Sequence, residues 1–275
     1  MQKSCPYLSV YVWEIEMSDK NLPIAVFDSG LGGISVLAEL VRLMPNENFI
    51  YFGDRANAPY GIKSADEVCA LTSRAYASLR EMGIKAFVIA CNTATSAAAA
   101  YLREEYPDDI IIGVEPALKP ATLCKENPTV AVLATPLTLK EKKFASLVQA
   151  CSDRARVIPF SCVGLVELVE RGLTEGEELH AFLSELLAPL KKEELDCIVL
   201  GCTHYPLVKE AIIKALGKDV LVFDGGLGTA RQTERRLCER GLLTDSCENG
   251  RIQIIDSSCK GRECSAIERF IKEYL

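Results

Sequence analysis

The 275-residue chain lacks the long apolar runs and basic stretches that mark membrane proteins and nucleic-acid-binding proteins. A transmembrane helix needs about 20 apolar residues in succession, and every apolar run here is far shorter. The formal net charge is −7, and the chain has no basic run of the kind that a nucleic-acid interface requires. We therefore expect a protein without membrane or nucleic-acid partners.

The N-terminus also lacks the pattern of a signal peptide. Glu14 and Glu16 interrupt its apolar stretch, and no small-residue cleavage site follows them. We interpret residues 1–23 as an N-terminal extension before the first strand, and we expect the protein in the cytoplasm.

Twelve cysteines are present, yet the spacing C-x-x-C does not occur. This absence argues against a zinc ribbon and against a thioredoxin-type redox site. A disulfide framework is not expected in a long chain without a signal peptide, so most of the cysteines are predicted to be small buried hydrophobic residues. Histidine is scarce, since His180 and His204 are the two that the chain contains.

Short apolar runs alternate with longer amphipathic segments along the chain. Unbroken apolar runs of this length are typical of parallel strands that are covered on both faces. The predicted strands are 24–27, 48–52, 86–90, 110–114, 130–134, 156–160, 197–200, 220–223 and 251–255. Helical periodicity is found at 34–44, 65–83, 137–151, 176–190 and 229–243. This alternation predicts an α/β fold with doubly wound parallel sheets.

A weak internal repeat divides the chain. IAVFDSG at 24–30 pairs with VAVLATP at 130–136, and VIACNTA at 88–94 pairs with VLGCTHY at 199–205. We predict two pseudo-symmetric lobes that face one another, with the active site in the cleft between them. In such sheets, ligands bind beyond the carboxyl ends of the strands.

The lobes are predicted to be discontinuous in sequence. RIQIID and the residues after it have the pattern of a further βα unit. The first lobe would therefore comprise 24–117 and 225–275, and the second 118–224.

Each half contains an apolar strand that ends in a cysteine, Cys91 in the first and Cys202 in the second. A thiol just before a helix N-terminus is expected to have a lowered pKa, which favours the thiolate. One such cysteine is most often a core residue, but the same arrangement twice favours a functional pair on opposite walls of the cleft. His204 follows Cys202 by two positions and can tune the thiol or carry a proton. His180 is assigned no role.

Other interpretations of these residues stay open at this point. Cys202 and His204 would suit a hydrolytic nucleophile and base, or they would form part of a zinc site. Because no second ligand pair has metal spacing, we predict no metal. DSGLGG at 28–33 is a candidate anion cradle, although Asp28 would serve equally as a helix cap. The loop 53–61 either turns the chain or lines the pocket.

Six motifs occur in order between residue 24 and residue 207: IAVFDSGLGG, YFGDRANAPYG, ACNTATS, GVEPALKPA, LVELVERG and LGCTHYPL. This series closely resembles glutamate racemase, a cofactor-independent family of bacterial cell-wall synthesis. CNTAT and GCTHYPL are specific to the wider racemase superfamily, and DSGLGG with PYG indicates the glutamate member. The resemblance implies interconversion of L-glutamate and D-glutamate for peptidoglycan synthesis, without a cofactor, by a homodimer.

The resemblance also implies a two-base reaction, in which one cysteine removes the α-proton and the other delivers a proton to the opposite face. Cys91 would act on D-glutamate and Cys202 on L-glutamate. Asp28 and His204 would assist the neighbouring thiols, and Glu170 would support Cys202 through the histidine. The residues implied to bind the substrate are Asp28, Ser29, Pro59, Tyr60, Gly61, Asn92, Thr93, Thr135, Thr203 and His204.

The chain departs from the family pattern in the loop before PYG. Many members have D-x-x-R-x-P-Y-G there, whereas Asn57 stands at the arginine position and Arg55 lies two residues earlier. This leaves the loop arginine without an assigned role. The alternatives to a glutamate racemase are an aspartate racemase with the same two cysteines, a cysteine–histidine hydrolase and a non-catalytic binding protein of the same fold.

Overall fold

The structure is a computed structural model that describes residues 19–259 and 265–274. The predicted N-terminal extension lies outside the described residues as far as residue 18. A short 3-10 turn at Asp19–Asn21 leads into the first strand.

The first sheet has five parallel strands in the order β4-β3-β1-β2-β9. They are β1 (Ile24–Asp28), β2 (Phe49–Gly53), β3 (Ala86–Ile89), β4 (Ile111–Gly113) and β9 (Ile252–Asp256). The last strand of the chain therefore pairs with β2 at the edge of a sheet that otherwise consists of N-terminal segments. The exact domain boundaries stay a prediction.

The second sheet has four parallel strands in the order β6-β5-β7-β8. They are β5 (Thr129–Ala134), β6 (Arg156–Ser161), β7 (Cys197–Leu200) and β8 (Leu221–Asp224). Read from the other edge, β8-β7-β5-β6 repeats the order β4-β3-β1-β2. The predicted repeat is confirmed, because β1 corresponds to β5 and β3 to β7.

Helices cover the sheets and connect successive strands. They are α1 (Ile34–Leu43), α2 (Ala65–Glu81), α3 (Asn92–Glu105), α4 (Leu118–Ala121), α5 (Pro136–Lys140), α6 (Lys142–Gln149), α7 (Leu165–Glu170), α8 (Glu177–Leu186), α9 (Lys209–Leu216), α10 (Gly226–Glu239) and α11 (Ser265–Tyr274). The single helix predicted for 137–151 is wrong. It is divided into α5 and α6, because Glu141 has a ψ of 139° and interrupts the helical backbone.

The interior of the first sheet shows why its strands are apolar without alternation. Ile24 and Val26 of β1 pack into the cluster beneath α1 and α10, whereas Ala25 and Phe27 pack into the cluster beneath α2 and α3. Both faces of the strand are buried, as the unbroken apolar runs predict. Within the described ranges, no helix is both long and apolar enough to cross a bilayer.

Candidate active site

Four of the predicted site residues lie at corresponding strand ends. Asp28 is the last residue of β1 and Thr135 follows β5, while Cys91 and Cys202 follow β3 and β7 by two residues. In each lobe the two strands are neighbours and parallel, so their carboxyl ends meet at one edge of each sheet.

Direct hydrogen bonds join these two edges. Thr203 Oγ1 donates to Asp28 Oδ2 at 3.0 Å, and the Thr93 and Thr135 hydroxyls are 3.1 Å apart. Thr138, in the first turn of α5, lies 3.0 Å from Thr135 and 3.3 Å from Thr93. The two lobes therefore face one another with polar side chains between them. Thr138 was not predicted, because its position depends on how the lobes meet.

Cys91 is a buried thiol at the start of α3. Its sulfur accepts a hydrogen bond from the Ala94 N–H at 3.4 Å, and its Sγ lies 3.6 Å from Ser29 Oγ, to which it donates. Burial raises the pKa of the Cys91 thiol to about 12, and the charges of Asp28 and Cys202 add to the rise. The prediction of a lowered pKa is wrong for this thiol, because desolvation outweighs the single helix N–H.

Cys202 has an imidazole beside it, as the spacing predicts. His204 Nδ1 lies 3.7 Å from Cys202 Sγ, and His204 Nε2 lies 2.6 Å from Glu170 Oε1. Glu170 is the last residue of α7 and also accepts the Leu31 N–H on Oε1 at 2.6 Å. The thiol, imidazole and carboxylate form one connected chain, and all three belong to the second lobe.

Opposite charges maintain the imidazole and the carboxylate in their ionised forms. Burial by itself lowers the pKa of His204, but the hydrogen bonds and charges of Cys202 and Glu170 hold it well above its ordinary value. Burial also opposes ionisation of Glu170, yet His204, Leu31 and Arg55 together hold its pKa below the ordinary value. An imidazolium is therefore favoured next to the Cys202 sulfur.

Asp28 is fully buried between the two thiol-bearing edges. Its Oδ1 accepts the Gly30 N–H at 2.7 Å. Burial raises the pKa of its carboxyl, against the lowering effect of His204 and the Gly30 N–H. The helix-cap interpretation is wrong, because α1 begins at Ile34 and its N-cap position is Gly33.

The glycines after Asp28 allow the lobes to approach closely. A Cβ atom at Gly32 would lie 2.5 Å from His204 Nδ1 and 2.7 Å from Thr203 Oγ1, and one at Gly30 would overlap the Glu170 carboxylate. The motif DSGLGG therefore gives the second-lobe residues room to contact the first lobe.

The loop after β2 lies against the second lobe. A Cβ atom at Gly61 would lie 2.9 Å from Thr135 Cβ. The buried Tyr60 packs in the same cluster as Cys91, and its hydroxyl donates to Asp54 within its own loop at 2.6 Å. Pro59 directly precedes this turn at Tyr60–Ile62. The loop thus meets the second lobe at Gly61, while the Tyr60 hydroxyl is already paired with Asp54.

Asn92 has an unusual hydrogen-bonding state. It is the first residue of α3, directly after Cys91, and is 5% exposed. Its side-chain Oδ1 is buried and has no hydrogen-bond partner among the described residues. A buried acceptor without a partner is rare in folded proteins, so a ligand donor is an expected partner for this oxygen.

Two residues that contact this site were missed from the sequence. Arg55 donates from Nε to Glu170 Oε2 at 3.2 Å and from Nη1 to Asp256 Oδ2 at 3.0 Å. Asp256 was detectable in principle, since it ends an apolar strand in the same way as Asp28.

The remaining candidate groups lie apart from this site. His180 is exposed on α8. In the part of the chain that the structure describes, no group of three or more histidine, cysteine or acidic residues is arranged to hold a metal ion.

The sequence and the fold are both similar to those of known racemases. Residues 28–233 match the model of the Asp/Glu/Hydantoin racemase family. A glutamate racemase of Clostridium botulinum is 50% identical over 242 residues, which cover 88% of this chain and 94% of that protein.

Solved structures agree with the sequence match. The glutamate racemase of Francisella tularensis, in complex with D-glutamate, aligns with a TM-score of 0.79 at 31% identity and covers 92% of this chain and 94% of its own. The glutamate racemase of Escherichia coli, in complex with L-glutamate, aligns with a TM-score of 0.79 at 28% identity. The alignment covers 92% of this chain and 95% of that one. The chain therefore belongs to the glutamate racemases of the Asp/Glu/Hydantoin racemase family.

Proposed function

We propose that this protein interconverts L-glutamate and D-glutamate by two-base transfer of the α-proton between Cys202 and Cys91. One observation carries the proposal: two buried thiols follow corresponding strands of two lobes that face each other. Inversion of a stereocentre requires an acid and a base on opposite sides of the carbon. Relatives in complex with D-glutamate and with L-glutamate support the choice of substrate.

In the direction from L-glutamate, Cys202 acts as a thiolate beside the imidazolium of His204, which Glu170 holds at 2.6 Å. The thiolate then takes the α-proton, the Cα–H bond breaks, and its electron pair stays on the carbon and its carboxylate. Cys91 donates its S–H proton to the opposite face and becomes a thiolate. The pKa of about 12 keeps Cys91 protonated at neutral pH, which is the form that this step requires.

In the reverse direction Cys91 is the base, and it must first lose its proton. The substrate ammonium group supplies a positive charge that lowers the pKa of a nearby thiol. Asn92 Oδ1 is next to Cys91 in the chain and has no hydrogen-bond partner in the described part of the protein, and it is the acceptor that we assign to this ammonium group. The bound substrate thereby offsets part of the burial that raises the pKa of Cys91.

The α-proton of an amino acid is very weakly acidic, so the carbanion requires stabilisation. The hydroxyls of Ser29, Thr93 and Thr135, the backbone N–H of Thr203 and the N–H groups that begin α3 are the donors that we assign to the substrate carboxylates. Such donors act strongly in a buried site, because they are fixed before charge develops. Asp28 holds Thr203 in place through their hydrogen bond, and Pro59, Tyr60 and Gly61 border the substrate.

The test is circular dichroism of the purified protein with each glutamate enantiomer in deuterated buffer. We expect both signals to decay with deuterium entering at the α-carbon, and Cys91→Ser and Cys202→Ser to abolish the decay. Cys151→Ser is the matched control, because Cys151 is another buried cysteine in a separate cluster. If the circular dichroism signal decayed with aspartate and not with glutamate, the substrate would be aspartate. Burst kinetics with an acyl donor would favour a hydrolase.

The proposal includes a cellular role, the supply of D-glutamate for peptidoglycan in the cytoplasm. The protein should restore growth of a bacterium that lacks its own glutamate racemase and depends on added D-glutamate. The Cys91→Ser variant, expressed at the same level, should not restore it. If the wild-type protein and the Cys91→Ser variant both restored growth, the cellular role would not depend on the racemase reaction.

We also propose that the protein acts as a homodimer, which the family resemblance supports. Sedimentation at several protein concentrations should give twice the mass of one chain. A monomer at all concentrations would contradict the homodimer and leave the reaction unaffected.

A further inference from the structure

Arg55 bridges two acidic groups from distant parts of the chain. Its Nη1 is 3.0 Å from Asp256 Oδ2 and its Nε is 3.2 Å from Glu170 Oε2. The side chain of Asp256 is fully buried, and those of Arg55 and Glu170 are 22% and 15% exposed. A planar guanidinium with two anionic acceptors has little freedom to reorient.

The Asp256 end of this bridge is fixed to the first lobe. Asp256 Oδ1 accepts from the backbone N–H and the hydroxyl of Ser258 at 2.8 and 2.7 Å. The neighbouring Ser257 Oγ accepts the Ala56 N–H at 3.0 Å. The end of β9 is therefore hydrogen-bonded to the loop that holds Arg55, and the bonds from Ser258 fix the orientation of the Asp256 carboxylate.

The Glu170 end reaches the proposed catalytic groups. Glu170 Oε1 receives the Leu31 N–H and contacts His204 Nε2, each at 2.6 Å, and Arg55 binds the second oxygen. With both oxygens bound, the orientation of the carboxylate is defined. A chain of contacts thus runs from Asp256 through Arg55, Glu170 and His204 to the Cys202 sulfur.

We propose that Arg55 is a positioning residue for the Cys202 half of the site, which fixes the Glu170 carboxylate against His204 and ties it to the end of the C-terminal strand. The expected effect of Arg55 on activity rests on the two-base function proposed above. The expected effect of Arg55 on the pKa of His204 does not depend on any substrate. Among the described residues, the hydrogen bonds of the Cys91 sulfur are to Ser29 and Ala94 and not to this chain of groups, so the Cys91 half of the site is not expected to need Arg55.

The titration of His204 by NMR tests the contact directly. The chain contains two histidines, so a His180→Gln background leaves one imidazole to follow. Cys202, Glu170 and Asp28 are the titratable groups that interact with His204. The variants are Arg55→Gln and Arg55→Lys. The control is Arg42→Gln, which removes one positive charge from an ion pair with Glu39 on α1.

If Arg55 positions Glu170, both Arg55 variants should lower the pKa of His204 towards its ordinary value, because the Glu170 contact weakens. A lysine keeps the charge but cannot bind both carboxylates as a fork. If Arg55 acted by charge alone, Arg55→Gln would raise the pKa of His204 and Arg55→Lys would leave it unchanged. Either of those results overturns the proposal. The control Arg42→Gln should leave the pKa of His204 unchanged. If Arg55→Gln fails to fold, Arg55→Lys still separates the two cases.

Activity gives a second readout. We expect Arg55→Gln to lower kcat by roughly tenfold to a hundredfold, as small misplacements of catalytic groups do, with a smaller change in KM. The primary isotope effect should rise with α-deuterated L-glutamate and not with D-glutamate, because proton removal by Cys202 is the step impaired. An equal rise for both enantiomers would contradict a role confined to the Cys202 half. If the wild-type protein did not racemise glutamate, the proposed function would fail, and the His204 titration would still decide the role of Arg55.

Discussion

The ends of β3 and β7 are equivalent in the two lobes, yet their thiols have different surroundings. Cys91 contacts a hydroxyl and a backbone N–H, and burial and the charge of Asp28 raise its pKa. Cys202 contacts an imidazole that a carboxylate holds in turn. The repeat thus duplicates the position of the thiol but not its proton acceptor. A pseudo-symmetric fold is compatible with a chemically asymmetric site.

The largest effect should come from removing one thiol at a time. We expect Cys91→Ala and Cys202→Ala each to lower racemisation by roughly 10²–10⁴-fold or more, since a general acid or base is lost. Cys91→Ala should still exchange the α-proton of L-glutamate with solvent, because Cys202 and His204 remain. Cys202→Ala should exchange that of D-glutamate more slowly, since Cys91 has no adjacent imidazole.

Proton NMR of each enantiomer in deuterated buffer measures this exchange. The wild-type protein, which should exchange both enantiomers, is the reference. Equal exchange rates in the two variants would show that the surroundings of the thiols do not differ in function.

A smaller effect should follow from Glu170→Gln, which removes the carboxylate that holds His204. Loss of one partner of a buried ion pair costs about 3 kcal/mol of unfolding free energy. Because the pKa of Glu170 is lowered in the folded protein, its stabilisation is present above the unfolded value and is lost as the pH falls through the folded value.

Urea unfolding at neutral pH and at successively lower pH measures this difference. The gap between wild type and Glu170→Gln should be widest near neutral pH and should narrow below about pH 4.3. Glu167→Gln removes the same charge from an exposed residue on α7 and should have little effect at any pH. If the difference in unfolding free energy between wild type and Glu170→Gln became larger on acidification, the result would contradict a stabilising ion pair between Glu170 and His204.

The smallest effect should come from Gly32→Ala, which tests the approach of the lobes. The new methyl group would meet His204 and Thr203, and overpacking of this kind costs about 1–3 kcal/mol. We expect a lower melting temperature and weaker racemisation.

Gly228→Ala is the matched control for this change. Gly228 is an exposed residue of α10, and a Cβ atom there would meet nothing within 4 Å. Alanine at that position should stabilise the protein by about 0.5–1 kcal/mol. Unchanged activity in Gly32→Ala would show that the two lobes adjust freely at this contact.

The fold could be predicted from the sequence because its signals are local. All the predicted strands are present, since an apolar run between polar turns specifies a buried strand without reference to other parts of the chain. The two cysteines were found in the same way, because each lies within two residues of the end of such a strand.

The electrostatics of the site could not be predicted in this way. The pKa of Cys91 depends on burial and on Asp28, which is 63 residues away in the chain (91 − 28). The contacts of Arg55 join residues separated by 115 and 201 positions. No local pattern encodes such pairs, since they form when the two lobes and the C-terminal strand come together.

The position of β9 has a consequence for the order in which the protein can be completed. All strands of the second sheet have been synthesised once residue 224 has left the ribosome, whereas the first sheet still lacks its edge strand, Ile252–Asp256. Until then β2 has an unpaired edge and Arg55 has no Asp256. The lobe that begins the chain is thus the last to be finished during translation.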